Sequence, residues 1–159
     1  MRVLCCLDGT NAAQIAAATE MLVPDLTLAL VHVIDIGPRR DMDRLRDRFF
    51  RPRGHHLPHE REMLETEKAS AHDILSAGQQ YFAGAEIMQR EGRPEREIVN
   101  AAAEWKADLV VICPRAEYGE NAHLGPRSVG HVARFVLDHA PCPVLFVRPP
   151  AREQFPIAP

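Results

Sequence analysis

The residues of this chain whose types could do chemistry fall in three places. Asp8 ends a short apolar run and opens the sequence Asp8-Gly9-Thr10-Asn11. A second group is Gly125-Pro126-Arg127-Ser128-Val129-Gly130, continued by His131 and Val132. The third is His55-His56-Leu57-Pro58-His59-Glu60. The second group approaches a nucleophile elbow, but its spacing is wrong and its serine begins a helix without the tight strand-to-turn approach that exposes a nucleophile. Ser128, His131 and Asp138 make no triad: His131 and Asp138 stand seven residues apart, two helical turns, too far for direct contact. The glycine patterns GxGxxG and GxxxxGK[ST] are both absent.

Pro58 interrupts the histidine group and no second ligand pair lies near it, so a solvated loop is expected there and no metal. Cys5, Cys6, Cys113 and Cys142 have no CxxC spacing. Neighbours Cys5 and Cys6 point to opposite faces of a strand, so reduced and buried thiols are expected. Cys113 has a second reading. At a strand end near a helix N-terminus a thiolate is stabilised, which would suit redox sensing.

The elements that must position these residues are legible from periodicity. Arg2 to Leu7, Leu26 to Ile34, Asp108 to Cys113 and Pro143 to Val147 are short apolar runs, expected as strands covered on both faces, and Ala85 to Gln89 is a shorter one. Between them lie helical patterns. Ala12 to Leu22 carries Ile15, Ala18, Met21 and Leu22 on one face, and Pro58 to Phe82 carries Leu64, Ala71, Ile74, Leu75, Gly78 and Phe82. A third pattern opens at Pro94, with Ile98, Ala101, Ala102 and Trp105 inward. The last runs from Ser128, a candidate N-cap, to His139 before Pro141, with Val129, Val132, Ala133, Val136 and Leu137 on its apolar face. Strand, helix and strand alternate, which predicts an α/β fold around a parallel sheet with right-handed crossovers.

At 159 residues the chain fits a single domain, residues 1–148, with two appendages. Residues 36–57 hold seven arginines and three aspartates, and Arg40, Arg44 and Arg48 stand four apart, so a charged helix is expected from Asp41 to Phe50, with Phe49 and Phe50 needing cover. Residues 149–159 form a proline-rich tail, expected to be loose or draped on a neighbour. A net charge of -3 argues against a nucleic-acid-binding surface. The amino terminus enters a strand directly, with no leader pattern, and no apolar run reaches membrane-spanning length. A cytoplasmic protein with no membrane partner is expected.

Asp8 and Cys113, at the ends of the first and fourth strands, would flank one crevice if the strand order reverses between them, roofed by the loop that ends at Gly130. A small ligand with a polar head, a nucleotide above all, would fit. The alternative is that Gly125 and Gly130 serve turn geometry and close packing alone.

At these residues the chain resembles the universal stress protein family over nearly its full length. RVLCCLDGT, LVHVID, GRPEREIVNAAAEWKADLVVI and GHVARFVLDHAPCPVLFVR carry the likeness. The resemblance implies an open five-stranded parallel sheet of order 3-2-1-4-5 with helices on both faces. It also implies a homodimer paired through the last strand, Val144 to Val147, and an adenine nucleotide such as ATP. The adenosine side would lie at Cys6, Leu7, Asp8, Val33, Ile112 and Val132. The family's phosphate loop, G-x-x-G, nine residues, then G-[S/T], is altered here. Its first two glycines fall on Cys113 and Ala116, the spacer to Gly130 is thirteen residues, and His131 follows that glycine. Side chains at Cys113 and Ala116 obstruct close backbone approach. Arg115, Arg127 and Ser128 are the groups expected to hold phosphate in the glycines' place. The expectation is a stress-response regulatory protein rather than an enzyme, with slow ATP hydrolysis the one activity left open. The competing expectation is a dimeric interaction module of the same fold that binds no nucleotide.

Overall fold

The computed structural model describes residues 1–22, 24–37, 58–114 and 128–148. The expected helix of 41–50, His55, His56, Arg115, Ala116, Arg127 and the tail of 149–159 lie outside the described residues, as do the side chains of His59 and Glu60.

Five strands form one sheet: β1 (Arg2–Cys6), β2 (Thr27–Asp35), β3 (Glu86–Gly92), β4 (Leu109–Ile112) and β5 (Val144–Phe146). Their order is β3-β2-β1-β4-β5, and every neighbouring pair is parallel. The chain steps outward from β1 to β3, then returns to the other side of β1 for β4 and β5. Adjacent Val3 and Leu4 are both fully buried because helices cover both faces of the sheet. On one face Leu4, Cys6, Val31, Val110 and Ile112 pack beneath α3 (Pro94–Glu104) and α4 (His131–His139), which contribute Ile98, Ala101, Ala102, Ala133 and Val136. On the other, Val3, Cys5, Leu7, Leu30 and Val111 meet Ile15 of α1 (Ala12–Thr19) and Leu75 of α2 (Pro58–Gln79).

The differences from the sequence expectations have local causes. The helix α1 stops at Thr19, whose hydroxyl donates to the Ala16 carbonyl at 2.8 Å while the Leu22 amide bonds the Thr19 carbonyl at 3.0 Å. The chain therefore turns away before Met21, expected on the apolar face, which is 79% exposed. Ser128 is not the cap of the last helix. That position belongs to Gly130, at φ 77 and ψ 161, a backbone region open essentially to glycine, and α4 begins at His131. Leu137, expected inward, is 43% exposed, while Val136 beside it is fully buried. Ala140 is extended at ψ 141, as the residue before Pro141 must be, and this ends α4. The strand β3 runs three residues beyond the expected Gln89, because Arg90, Glu91 and Gly92 pair with Val33, Ile34 and Asp35.

Candidate functional site: the crevice between β1 and β4

The chain leaves β1 toward α1 on one face of the sheet and leaves β4 toward α4 on the other, as the two helices' places in opposite core clusters require. Their carboxyl ends therefore part at the point where strand order reverses, the place where an open α/β sheet is expected to hold a ligand crevice. Backbone groups beyond the last ladder bonds need other partners. At β1 they find side chains. The Leu7 amide donates to the Val31 carbonyl at 2.9 Å, and the Leu7 carbonyl accepts from His32 Nδ1 at 2.8 Å, which requires the Nδ1–H form of the ring. Asn11 Nδ2 donates to the Cys6 carbonyl at 3.0 Å, and Asn11 Oδ1 accepts from the Asp8 amide at 3.1 Å.

Asn11 does not cap α1 with its side chain. It occupies the N-cap position of α1, but its side chain turns back to β1 and makes no cap hydrogen bond. It is 6% exposed. Asp8 itself is exposed, and one oxygen, Oδ1, is fixed by the Thr10 amide at 2.8 Å and the Thr10 hydroxyl at 3.0 Å. The second oxygen, Oδ2, accepts no hydrogen bond among the described residues.

Cys6, Leu7, Ile112 and Cys113 are buried, and Val33, Ser128, Gly130 and Val132 are partly buried. The structure does not turn all of them the same way. Cys6, Ile112, Val33 and Val132 belong to the face under α3 and α4, whereas Leu7 and Cys113 belong to the face under α1 and α2. Leu7 presses on α2 where Gly78 lies: a Cβ there would come within 2.5 Å of Leu7 Cδ1. Its side chain is a packing group and only its backbone borders the crevice.

Cys113 is buried, and its thiol is pushed up to about 11 by desolvation, with the Asp8 charge adding and an Asn11 hydrogen bond opposing. The thiolate expected of a redox sensor is therefore disfavoured: burial and a neighbouring carboxylate outweigh any help from a helix N-terminus.

Sequence reasoning missed the side chains that hold the site's frame. Asn11 was visible only as part of a turn cluster, and His32 only as a polar residue inside an apolar strand. Glu95 was missed as well. It lies in the first turn of α3, is 8% exposed, and its Oε1 stands 3.8 Å from His131 Nε2 at the start of α4, so the two helix starts lie side by side at the carboxyl end of the sheet. Among the described residues no group of three or more His, Cys, Asp or Glu is placed to hold a metal ion.

The sequence model of the universal stress protein family matches residues 1–148. A universal stress protein of Thermus aquaticus, encoded in the 3' region of a QAH/OAS sulfhydrylase, is 31% identical over 149 residues, which cover 92% of this chain and 97% of the relative. The chain belongs to the universal stress protein family. The fold agrees. The universal stress protein UspA of Lactobacillus plantarum superimposes with a TM-score of 0.62 at 22% identity, covering 93% of this chain and 97% of its own. A family protein of Arabidopsis thaliana with AMP bound superimposes with a TM-score of 0.59 at 18% identity, over 97% and 95% of the two chains.

Proposed function

We propose that this protein is a stress-response regulator that binds an adenine nucleotide, ATP or a shorter relative, in the crevice between β1 and β4. The observation that carries the reading is Gly130. At φ 77 it turns the chain into α4 at the strand-order switch point, and as a glycine it offers the helix's first turn no side-chain cap of its own. Amides at a helix start suit a phosphate. Asp8 supports the other half of the ligand: its Oδ2, an acceptor and never a donor when ionised, suits the hydroxyl donors of a ribose. Base and sugar would lie along Cys6, Leu7 backbone, Asp8, Val33, Ile112 and Val132. Phosphate would lie toward Gly130, His131 and Ser128, with Arg115, Ala116 and Arg127 in the loop that follows Cys113. The Arabidopsis relative with AMP bound supports adenine as the base.

The reading is of a binding protein; slow ATP hydrolysis is the one activity it leaves room for. A cytoplasmic location belongs to the same proposal, and among the described residues no helix is long and apolar enough to cross a membrane. So does a homodimer through β5, whose three residues are only half-buried at the sheet's edge.

One feature favours the rival, a dimeric module that binds no nucleotide: where the resemblance implies the first loop glycine, the chain has the buried side chain of Cys113. The deciding experiment is to denature freshly purified protein and chromatograph the supernatant. Adenine nucleotide at stoichiometric level, lost together with affinity in Arg127→Ala, is the expected result. A clean supernatant with no thermal shift on adding ATP or AMP would establish the rival instead.

A further inference from the structure

The amide of Asn11 is buried beside the end of β1, and it cannot itself reach a ligand, being 6% exposed. Its Nδ2 holds the last carbonyl of β1, at Cys6, and its Oδ1 holds the amide of Asp8. Beyond the end of β4, the same side chain opposes the upward push of burial on the Cys113 thiol. Asn11 therefore stands between the ends of β1 and β4. A backbone amide fixed at 3.1 Å sets where the Asp8 Cα stands, and the bonds from Thr10 to Asp8 Oδ1 set the rotation of the carboxylate. Together they leave Oδ2 as the oxygen without a partner among the described residues.

We propose that Asn11 is a positioning residue for ligand recognition, acting through Asp8 to aim one carboxylate oxygen at the hydroxyls of a bound nucleoside. The proposal rests on the adenine-nucleotide reading of the crevice and adds to it which part of the ligand Asn11 governs. Because Asn11 serves the sugar side and Gly130 the phosphate side, loss of Asn11 weakens a nucleoside and its monophosphate by the same factor. A helix capped by anion-binding amides is left as it was.

The test is a double-mutant cycle read by calorimetric titration with adenosine and with AMP, in Asn11→Ala, Asp8→Asn and the combined variant. Asn11→Ala is expected to lose about tenfold in affinity for both ligands, the worth of one well-placed hydrogen bond to a charged group. In the Asp8→Asn background the same change is expected to cost less than about twofold, because the interaction it served has gone. Equal losses in both backgrounds, or a loss confined to AMP, would overturn the proposal. Asn11→Asp, close in shape, provides a second variant: it keeps the Oδ1 acceptor but sets an oxygen against the Cys6 carbonyl and a negative charge beside Asp8, and a loss at least as large as that of Asn11→Ala is expected. If neither Asn11 variant folds, Asn11 is a folding determinant and the proposal fails. A wild-type protein that binds neither ligand ends the nucleotide reading itself, whereas a wild type that binds, with an additive cycle, ends this inference alone.

Discussion

At the scale of single residues, the crevice separates groups that recognise from groups that merely support. Asp8→Asn preserves the Oδ1 acceptor used by Thr10 but replaces the Oδ2 acceptor by a donor, so the fold should survive while adenosine affinity falls ~10- to 100-fold, as measured by titration. The cysteines give a second prediction. Burial pushes the Cys5 thiol from 9.0 up to about 12, with repulsion from Cys113 adding to it. In the unfolded chain the same thiol ionises first, so its contribution to stability is complete below pH 9.0 and is lost as pH climbs toward about 12. Denaturant midpoints should hold level below pH 9.0 and decline above it, and Cys5→Ala should make that decline shallower. Native alkylation at neutral pH should leave Cys113 unlabelled while Cys142, partly exposed, reacts. At this scale the sequence was legible wherever residue type alone decides the outcome. Asp8 after an apolar run was readable as a carboxylate left outside the core at a strand end, and it is exposed. The role of Asn11 was not readable, since a residue of its type ahead of a helix could equally cap it, and only the structure turns its amide back onto the Cys6 carbonyl and the Asp8 amide.

At the scale of elements, glycine carries the argument in two places. Gly130→Ala puts a Cβ on a backbone at φ 77 and ψ 161, a strain of about 1–3 kcal/mol. Relief by tilting the first turn of α4 should weaken AMP more than adenosine, a pattern opposite to that of Asn11→Ala. Gly78 is different: its constraint is contact. Gly78→Val would drive side-chain atoms into Leu7 and Leu30, and overpacking of this kind should lower stability by about 1–3 kcal/mol in denaturant unfolding. Leu7 lies one residue before Asp8, so the same change should also disturb ligand binding. Strand and helix positions were readable from periodicity because burial on both faces leaves long apolar runs. The ends were not. The stop of α1 depends on the Thr19 hydroxyl, and the start of α4 depends on a left-handed glycine; Ser128, a better cap by residue type, lost to the conformation that only Gly130 can adopt.

At the scale of the whole molecule, the sheet order was accessible through the family resemblance rather than through any single pattern, since alternating strands and helices fix a parallel sheet without fixing which strands adjoin. The exposed edge of that sheet yields a further prediction. Pro143 O and Val147 N–H are bonded to β4, so alternation turns the backbone groups of Val144 and Phe146 outward. Val144→Pro deletes an outward N–H and leaves the β4 ladder in place; on the proposed homodimer through β5, light scattering should show a wild-type dimer and a monomeric variant, and a variant that stays dimeric would overturn β5 as the contact. The opposite pole of the molecule is organised around its single tryptophan. Arg2 lies over the Trp105 ring at 4.1 Å and its Nε donates to the Trp105 carbonyl at 2.9 Å, while the indole N–H donates to Glu86 Oε2 at 2.8 Å. These contacts join the starts of β1 and β3 at the amino ends of the strands, the end away from the crevice. Trp105 is therefore an intrinsic fluorophore clamped at the far end from the ligand. Its emission will track the melting of the sheet faithfully and stay silent during a nucleotide titration, so occupancy has to be followed by heat or by a labelled ligand.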